Sequence, residues 1–90
     1  LCNLTVNTNS VSIRRQRSTN VTVSLTLQTT ITARSDNASV RVSFVSKSGL
    51  NHTYKIESVN SNHTYTANVT FEPACDASKT KSVRVTVTKD

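Results

Sequence analysis

The sequence predicts an all-β fold in which two antiparallel sheets pack face to face. Valine and threonine are abundant, and such β-branched residues favour the pleated sheet, whereas the helix formers Leu, Glu and Ala are scarce. Apolar residues recur at every second position in several stretches, and no stretch shows the 3.6-residue period of an amphipathic helix. Ninety residues, 34% of them hydrophobic, allow one domain with a small core.

The first predicted strand is interrupted. Leu4 and Val6 alternate with polar residues, and residues 7–10 then break the pattern. Val11 and Ile13 resume the alternation with the opposite phase. The side chains of a strand alternate between its two faces. The even-numbered residues of the first part and the odd-numbered residues of the second part are therefore expected to face the core.

The longest alternation, Val21–Leu27, predicts the second strand. Its phase continues as far as Ala33, so we expect the next turn near Gln28–Thr30. The stretch Arg34–Ser39 is rich in residues that favour turns. The remaining segments are predicted as a strand at Val40–Phe44, a connection at Ser46–Leu50 with the only glycine, strands at Tyr54–Val59 and Tyr65–Phe71, a loop at Glu72–Thr80 and a last strand at Val83–Val87.

The stretch Tyr54–Phe71 resembles the region of strands E and F in immunoglobulin-superfamily domains. An apolar-x-Ile-x-x-Val strand and a turn precede Tyr65, which matches the tyrosine corner two residues before a cysteine. Ala67 stands at that cysteine position, and the chain has no Trp. The resemblance implies an immunoglobulin-like β-sandwich of about seven antiparallel strands, of variable or intermediate type, without the usual bond between strands B and F.

The same resemblance implies that the interrupted first strand crosses from one sheet to the other. A fibronectin-like or filamin-like sandwich is the alternative architecture for this pattern of strands. We expect residues 1–90 to form one domain, taken from a longer ectodomain.

Cys2 and Cys75 are the only cysteines, and their spacing does not match a zinc site. Two cysteines in a chain of this composition predict a disulfide formed in an oxidising compartment. Cys2 shares the inward phase of Leu4, and Cys75 shares that of Phe71. In an immunoglobulin-like sandwich the first strand begins at the end that carries the F–G loop, which implies that the two cysteines lie within bonding reach.

The chain contains more N-x-S/T sequons than its composition would produce by chance. With nine Asn and 28 Ser or Thr among 90 residues, we expect about three by chance, and there are six. Each lies at an outward position or in a predicted turn, as a bulky glycan requires. The sequons predict an extracellular glycoprotein, either secreted or on a cell surface, and are Asn3, Asn20, Asn37, Asn51, Asn62 and Asn68.

The net charge of +6 is dispersed, and only Arg14, Arg15 and Arg17 cluster. We expect no nucleic-acid binding, because the four aromatic residues have inward phase and leave no stacking platform. The Arg14–Arg17 stretch predicts, as one alternative, a site for heparin or another polyanion whose binding weakens with salt. No span is long and apolar enough to cross a membrane, so no membrane contact is expected of this segment.

No arrangement of residues predicts catalysis. The five acidic residues are not spaced for acid–base chemistry or for a calcium loop, and one glycine excludes a Gly-rich phosphate loop. His52 and His63 are interpreted as exposed turn residues without a metal. We therefore expect neither an enzyme nor a cofactor.

The function predicted is that of an extracellular protein-binding module in a cell-surface recognition or adhesion receptor, with another copy of itself among the candidate partners. An immunoglobulin-like domain that lacks the central bond but carries another resembles those of invertebrate cell-recognition receptors, including the receptors of colonial-animal allorecognition. The alternative is a structural spacer in a surface protein or a microbial adhesin. The candidate contact residues are Arg34, Arg41, Lys79, Lys81 and Arg84.

Overall fold

The structure is a computed structural model that describes residues 1–59 and 63–89, and it confirms the all-β sandwich. A single-turn 3-10 helix, Ala77–Lys79, is the helical element of the described chain. The eight strands are β1 (Leu4–Val6), β2 (Ser10–Arg14), β3 (Ser18–Leu25), β4 (Ile31–Ser35), β5 (Val40–Ser48), β6 (Asn51–Ser58), β7 (Tyr65–Pro73) and β8 (Lys81–Thr88).

Each sheet contains four strands. The first sheet has the order β1-β3-β6-β5 and the second has the order β2-β8-β7-β4. Neighbouring strands are antiparallel, except that β2 and β8 run parallel. This arrangement is compatible with an immunoglobulin-like sandwich. The strand number is eight because the interrupted first strand forms two.

The chain crosses between the sheets at the break in its first alternation. The Asn7 amide donates to the Thr22 carbonyl at 3.0 Å in the first sheet. The Arg84 amide donates to the Asn9 carbonyl at 2.9 Å in the second sheet. The crossing therefore takes place within residues 7–9, and the phase change lets β1 and β2 both turn apolar side chains inward. This confirms the interpretation of the first strand.

The core is formed by alternate side chains of both sheets, as the period-two pattern predicted. The rings of Tyr54 on β6 and Phe71 on β7 meet across the interior with their centroids 5.0 Å apart. Ala67, at the position where related sandwiches carry a cysteine, is buried. The largest fully buried residues include Leu4, Val21, Val23, Val40, Ile56, Val69, Phe71, Val83, Val85 and Val87.

The β5–β6 hairpin is longer and tighter than expected. The predicted connection at Ser46–Leu50 is wrong over its first part, because β5 continues to Ser48 and β6 begins at Asn51. The turn consists of Gly49 and Leu50, and Gly49 has a φ of +61°, a conformation that glycine adopts without steric cost. A register shift between Phe44 and Ser46 adds one residue to β5 and changes its phase.

The prediction that Phe44 is buried is also wrong. Phe44 has the phase of the core and pairs with Tyr54, but 57% of it is exposed. The reason is that β5 is an edge strand of the first sheet, and the facing edge strand, β4, is short. The sandwich is therefore open where Phe44 lies.

The Cys2–Cys75 disulfide closes one end of the sandwich. Cys2 precedes β1 of the first sheet, and Cys75 follows β7 of the second, with their Cα atoms 6.0 Å apart. Asp76 then caps the 3-10 helix by accepting hydrogen bonds from the backbone amide and hydroxyl of Ser78, which, with Lys79 nearby, lower the pKa of its carboxyl. The bond therefore joins the two sheets at their rim, in agreement with the sequence-based prediction.

We predict that replacing both cysteines, Cys2→Ser with Cys75→Ser, lowers the free energy of unfolding by about 4 kcal/mol, because a closed loop of this length restricts the unfolded chain. Urea unfolding followed by circular dichroism measures the change. Reduced wild-type protein should give the same curve as the double variant. A loss below about 1 kcal/mol would show that the core and the sheet ladders alone hold the sheets together.

Candidate interaction surface

The five predicted contact residues do not form one surface. Arg34 on β4 and Arg84 on β8 lie on the outer face of the second sheet. Arg41 on β5 lies on the outer face of the first sheet, opposite Glu57. Lys79 and Lys81 lie at the disulfide end. Lys79 is half-buried and the other four residues are exposed. The sheet to which each strand residue belongs depends on pairing that the local pattern does not contain.

Arg34 is engaged in an ion pair. Its Nη1 lies 3.2 Å from Oε1 of Glu72, across the β4–β7 pair. Both side chains are partly exposed, so the pair contributes little to stability. It does fix the position of the guanidinium at the edge of the second sheet.

The sequons occupy outward positions wherever the structure describes them. Asn3, Asn20, Asn51 and Asn68 are exposed, and Asn37 is half-buried in the β4–β5 turn. The sixth, at Asn62, lies outside the described residues. The Asn51 side-chain oxygen accepts a hydrogen bond from Ser24 at 2.7 Å.

Asn68 and Arg84 compete for the same surface. Their Cα atoms are paired across β7 and β8, so their side chains are neighbours on the outer face. The side-chain nitrogen of Asn68, Nδ2, also donates a hydrogen bond to Oδ2 of Asp36 at 3.3 Å. A glycan at Asn68 would cover Arg84, so these two predicted sites exclude each other.

An opening lined by both apolar and polar side chains lies between the edge strands β4 and β5. A groove of 490 Å³ is lined in part by Ile31, Phe44 and Tyr54, and a second groove of 530 Å³ adjoins it. Both grooves are bordered by Ala33 and Val42, so they form one feature. We call it the open seam. The sequence does not reveal the open seam, because the phase of Phe44 predicts a place for it in a closed core.

The backbone of β4 is half-paired in the described chain. The Asp36 amide donates to the Asn68 carbonyl, and the Ala74 amide donates to the Thr30 carbonyl. In an antiparallel pair hydrogen-bonded residues alternate, so even-numbered residues of β4 face β7. The backbone groups of Ile31, Ala33 and Ser35 therefore point toward the open edge.

His52 is a buried residue, and its interpretation as an exposed turn histidine is wrong. Only 7% of it is exposed, and it borders the open seam with its ring edge-on to Phe44 at 6.3 Å. Its Nε2 has no hydrogen-bonding partner among the described residues. Burial lowers the pKa of His52, and the positive charge of Lys47 lowers it further. The signal was present in the sequence, because His52 shares the phase of Tyr54 and Ile56 on β6. His63, by contrast, is exposed as expected.

A compact basic region lies at the end opposite the disulfide. Arg14, Arg15, Gln16 and Arg17 form the connection between β2 and β3, and with Lys89 they line a depression of 350 Å³. We call these five residues the basic turn. The three arginines are neighbours in the sequence, whereas Lys89 is distant from them in the chain. The pairing of β2 with β8 brings Lys89 close to the arginines.

No protein-family model matches the chain, and no curated protein matches its sequence. The described residues contain no helix of the length and apolar character that a membrane span requires. Within the same residues, no three His, Cys, Asp or Glu side chains are grouped so that they could hold a metal ion. The arrangement offers instead two kinds of contact surface, the open seam and the charged basic turn.

We predict that His52→Leu raises the free energy of unfolding at neutral pH by about 1 kcal/mol, because it removes a buried polar atom without a partner. It should also flatten the pH dependence of stability. The folded-state pKa lies below 6.5, so the unfolded chain takes up a proton first. Wild-type stability is therefore complete above about pH 6.5 and falls as the pH is lowered through the folded-state pKa.

Urea unfolding at several values between about pH 7.5 and pH 5.5 measures both effects. The matched control is His63→Gln, which replaces an exposed histidine and is measured over the same pH range. An unchanged slope in His52→Leu would show that His52 does not control this dependence.

Proposed function

We propose that the chain is a non-enzymatic, extracellular protein-binding module of a cell-surface recognition or adhesion receptor, and that it binds through the open seam. The disulfide favours an oxidising compartment, and the exposed sequons favour a glycosylated surface. The observation that carries the proposal is the exposure of Phe44, which lines a groove together with Ile31 and Tyr54. Exposed apolar surface of this kind is typical of contact sites.

The strand order supports membership of the immunoglobulin superfamily. The first sheet corresponds to strands A-B-E-D, and the second to A′-G-F-C. Tyr65 lies on the F-like strand, and its hydroxyl donates to the Ser39 carbonyl at 3.3 Å, which ties that strand to the β4–β5 turn. The buried Ala67 replaces the usual cysteine, and the rim disulfide supplies the covalent link instead.

The occupant that we propose for the open seam is a second copy of the chain. Two β4 edges can pair antiparallel about a two-fold axis at Ala33, because Ile31, Ala33 and Ser35 present their backbone groups to that edge. Such pairing would continue the second sheet from one copy into the other. It would also bring the two exposed Phe44 side chains together over the shared seam.

Charge favours this register. Pairing about Ala33 places Arg34 of one copy opposite Thr32 of the other, so the two arginines do not face each other. Glu72 lies beside Thr32 in the next strand, and its carboxylate can therefore receive the guanidinium of the other copy. The ion pair that exists within one copy would then extend across the interface.

The proposed glycans leave most of this edge accessible. Asn20 and Asn51 lie on the outer face of the first sheet, and Asn68 lies on the outer face of the second. The seam runs between these faces, and Asn37 borders only one end of it. Sugars at the exposed sites would thus direct a protein partner to the edge.

Self-association tests the proposed function. In sedimentation-equilibrium experiments on the exported, glycosylated protein, we expect a reversible dimer. Phe44→Ser should weaken it at least tenfold, since burying such a side chain contributes more than about 1 kcal/mol. Ala33→Pro should weaken it because it removes an edge N–H without interrupting the β4–β7 ladder.

The matched control is Leu1→Ser, which replaces an exposed apolar residue at the disulfide end and should leave the dimer intact. A wild-type protein that stays monomeric at all concentrations would contradict self-recognition and favour the spacer. Equal weakening by all three variants would contradict the seam as the contact surface.

We predict that intact mass decreases on deglycosylation of the exported protein. Occupancy should be high at Asn3, Asn20 and Asn51, which are exposed, and lowest at Asn37, which is half-buried in the β4–β5 turn. Enzymatic conversion of glycosylated Asn to Asp, read by peptide mass spectrometry, gives the occupancy of each site. Full occupancy of Asn37 with Asn20 and Asn51 unmodified would contradict the assignment.

A further inference from the structure

The basic turn concentrates positive charge that neither the core nor the open seam uses. Four of the eleven basic residues, Arg14, Arg15, Arg17 and Lys89, line one depression together with Gln16. All five are exposed.

The backbone of the basic turn is held from both sides. The Arg15 amide donates to the Thr88 carbonyl at 2.9 Å, and the Ser58 amide donates to the Arg17 carbonyl at 3.0 Å. Within the turn, the Arg17 amide donates to the Arg14 carbonyl at 3.1 Å. The charges are therefore carried on a fixed frame, which reduces the entropy lost when a ligand binds.

The local field is weakly opposed by carboxylates among the described residues. Glu57 on β6 is paired with Ser18, the residue that directly follows the basic turn. Its carboxylate is engaged by Lys55, with 3.8 Å between Nζ and Oε1. The depression itself is lined by basic and amide side chains. It therefore fits a ligand with several fixed negative charges.

We infer that the basic turn is a binding site for a sulfated polysaccharide. Guanidinium groups form paired, charge-assisted hydrogen bonds with the oxygens of sulfate and related anions. A nucleic acid would also supply anions, but single-strand binding usually adds aromatic side chains on which bases stack. The turn has none, because the described aromatic residues lie in the core, in the open seam or on β7. This site is independent of the open seam and of self-association.

The test is binding of the disulfide-bonded chain to a heparin oligosaccharide, measured by isothermal titration at several salt concentrations. We expect affinity to fall steeply with salt, because the ligand releases counterions on binding. The double variant Arg14→Ser with Arg17→Ser should lose about tenfold in affinity, since each exposed ionic contact contributes up to about 1 kcal/mol. Lys89→Ser should lose about threefold on the same scale.

The matched control removes two arginines from the outer faces of the two sheets, Arg41→Ser with Arg84→Ser. It changes the net charge equally and should retain most of the affinity. Equal losses in both double variants would overturn the proposal, because they would show a response to net charge alone. If Lys89→Ser bound heparin as tightly as the wild type, the proposal that Lys89 and the arginines form one site would be overturned.

Two further ligands distinguish the chemistry. Heparin from which the sulfates have been removed keeps its carboxylates and should bind at least tenfold more weakly, while a single-stranded oligonucleotide of equal charge should bind more weakly than heparin. Equal binding of either ligand would overturn sulfate recognition. Circular dichroism and the unfolding midpoint of each variant confirm that the fold is retained, since the altered side chains are exposed.

Discussion

One covalent bond, Cys2–Cys75, joins the two sheets at the rim of the sandwich. In this chain the centre of the sandwich is filled by Ala67 and its apolar neighbours, with Tyr54 and Phe71 in contact across it. A chain of 90 residues can bury only a small core, and that burial alone stabilises the fold modestly. The Cys2–Cys75 bond compensates by joining the start of the first sheet to the end of β7 in the second.

The period-two alternation was enough to predict the class of fold and most of the core. Leu4, Val23, Ile56 and Val85 are buried because each lies in phase on its strand, and phase is local information. The disulfide was predictable for a different reason, since a chain with two cysteines permits only one intramolecular pairing. The crossing of the first strand followed from its change of phase at residues 7–10.

Where the prediction failed, the missing information was non-local. Phe44 has core phase but lies on an edge, and only the pairing of the sheets reveals which strands are edges. Lys89 joins the arginines through a parallel pairing of strands that are far apart in sequence. His52 is the exception, because its phase was readable and the preference of histidine for exposed turns was given too much weight.

The surface divides into regions with different chemistry. Hydroxyl, amide and dispersed charged side chains cover the outer faces, where the sequons lie. Apolar side chains reach the surface at the β4–β5 edge, and basic side chains cluster at one end. A protein partner and a polyanion would therefore approach from different directions. Both could be held at once, because the open seam and the basic turn share no residue.

The position of the disulfide also determines how the module would respond to tension. A force applied to residues 1 and 90 passes from Cys2 directly to Cys75, so the 73-residue separation between them carries no load. Only the segment that follows Cys75 can be drawn out, and β8 must shear from β2 and β7 to release it. Full extension then gives about 60 Å, compared with about 300 Å for an unlinked chain of this length. A cell-surface tether built from such modules would lengthen little before its covalent links bore the load.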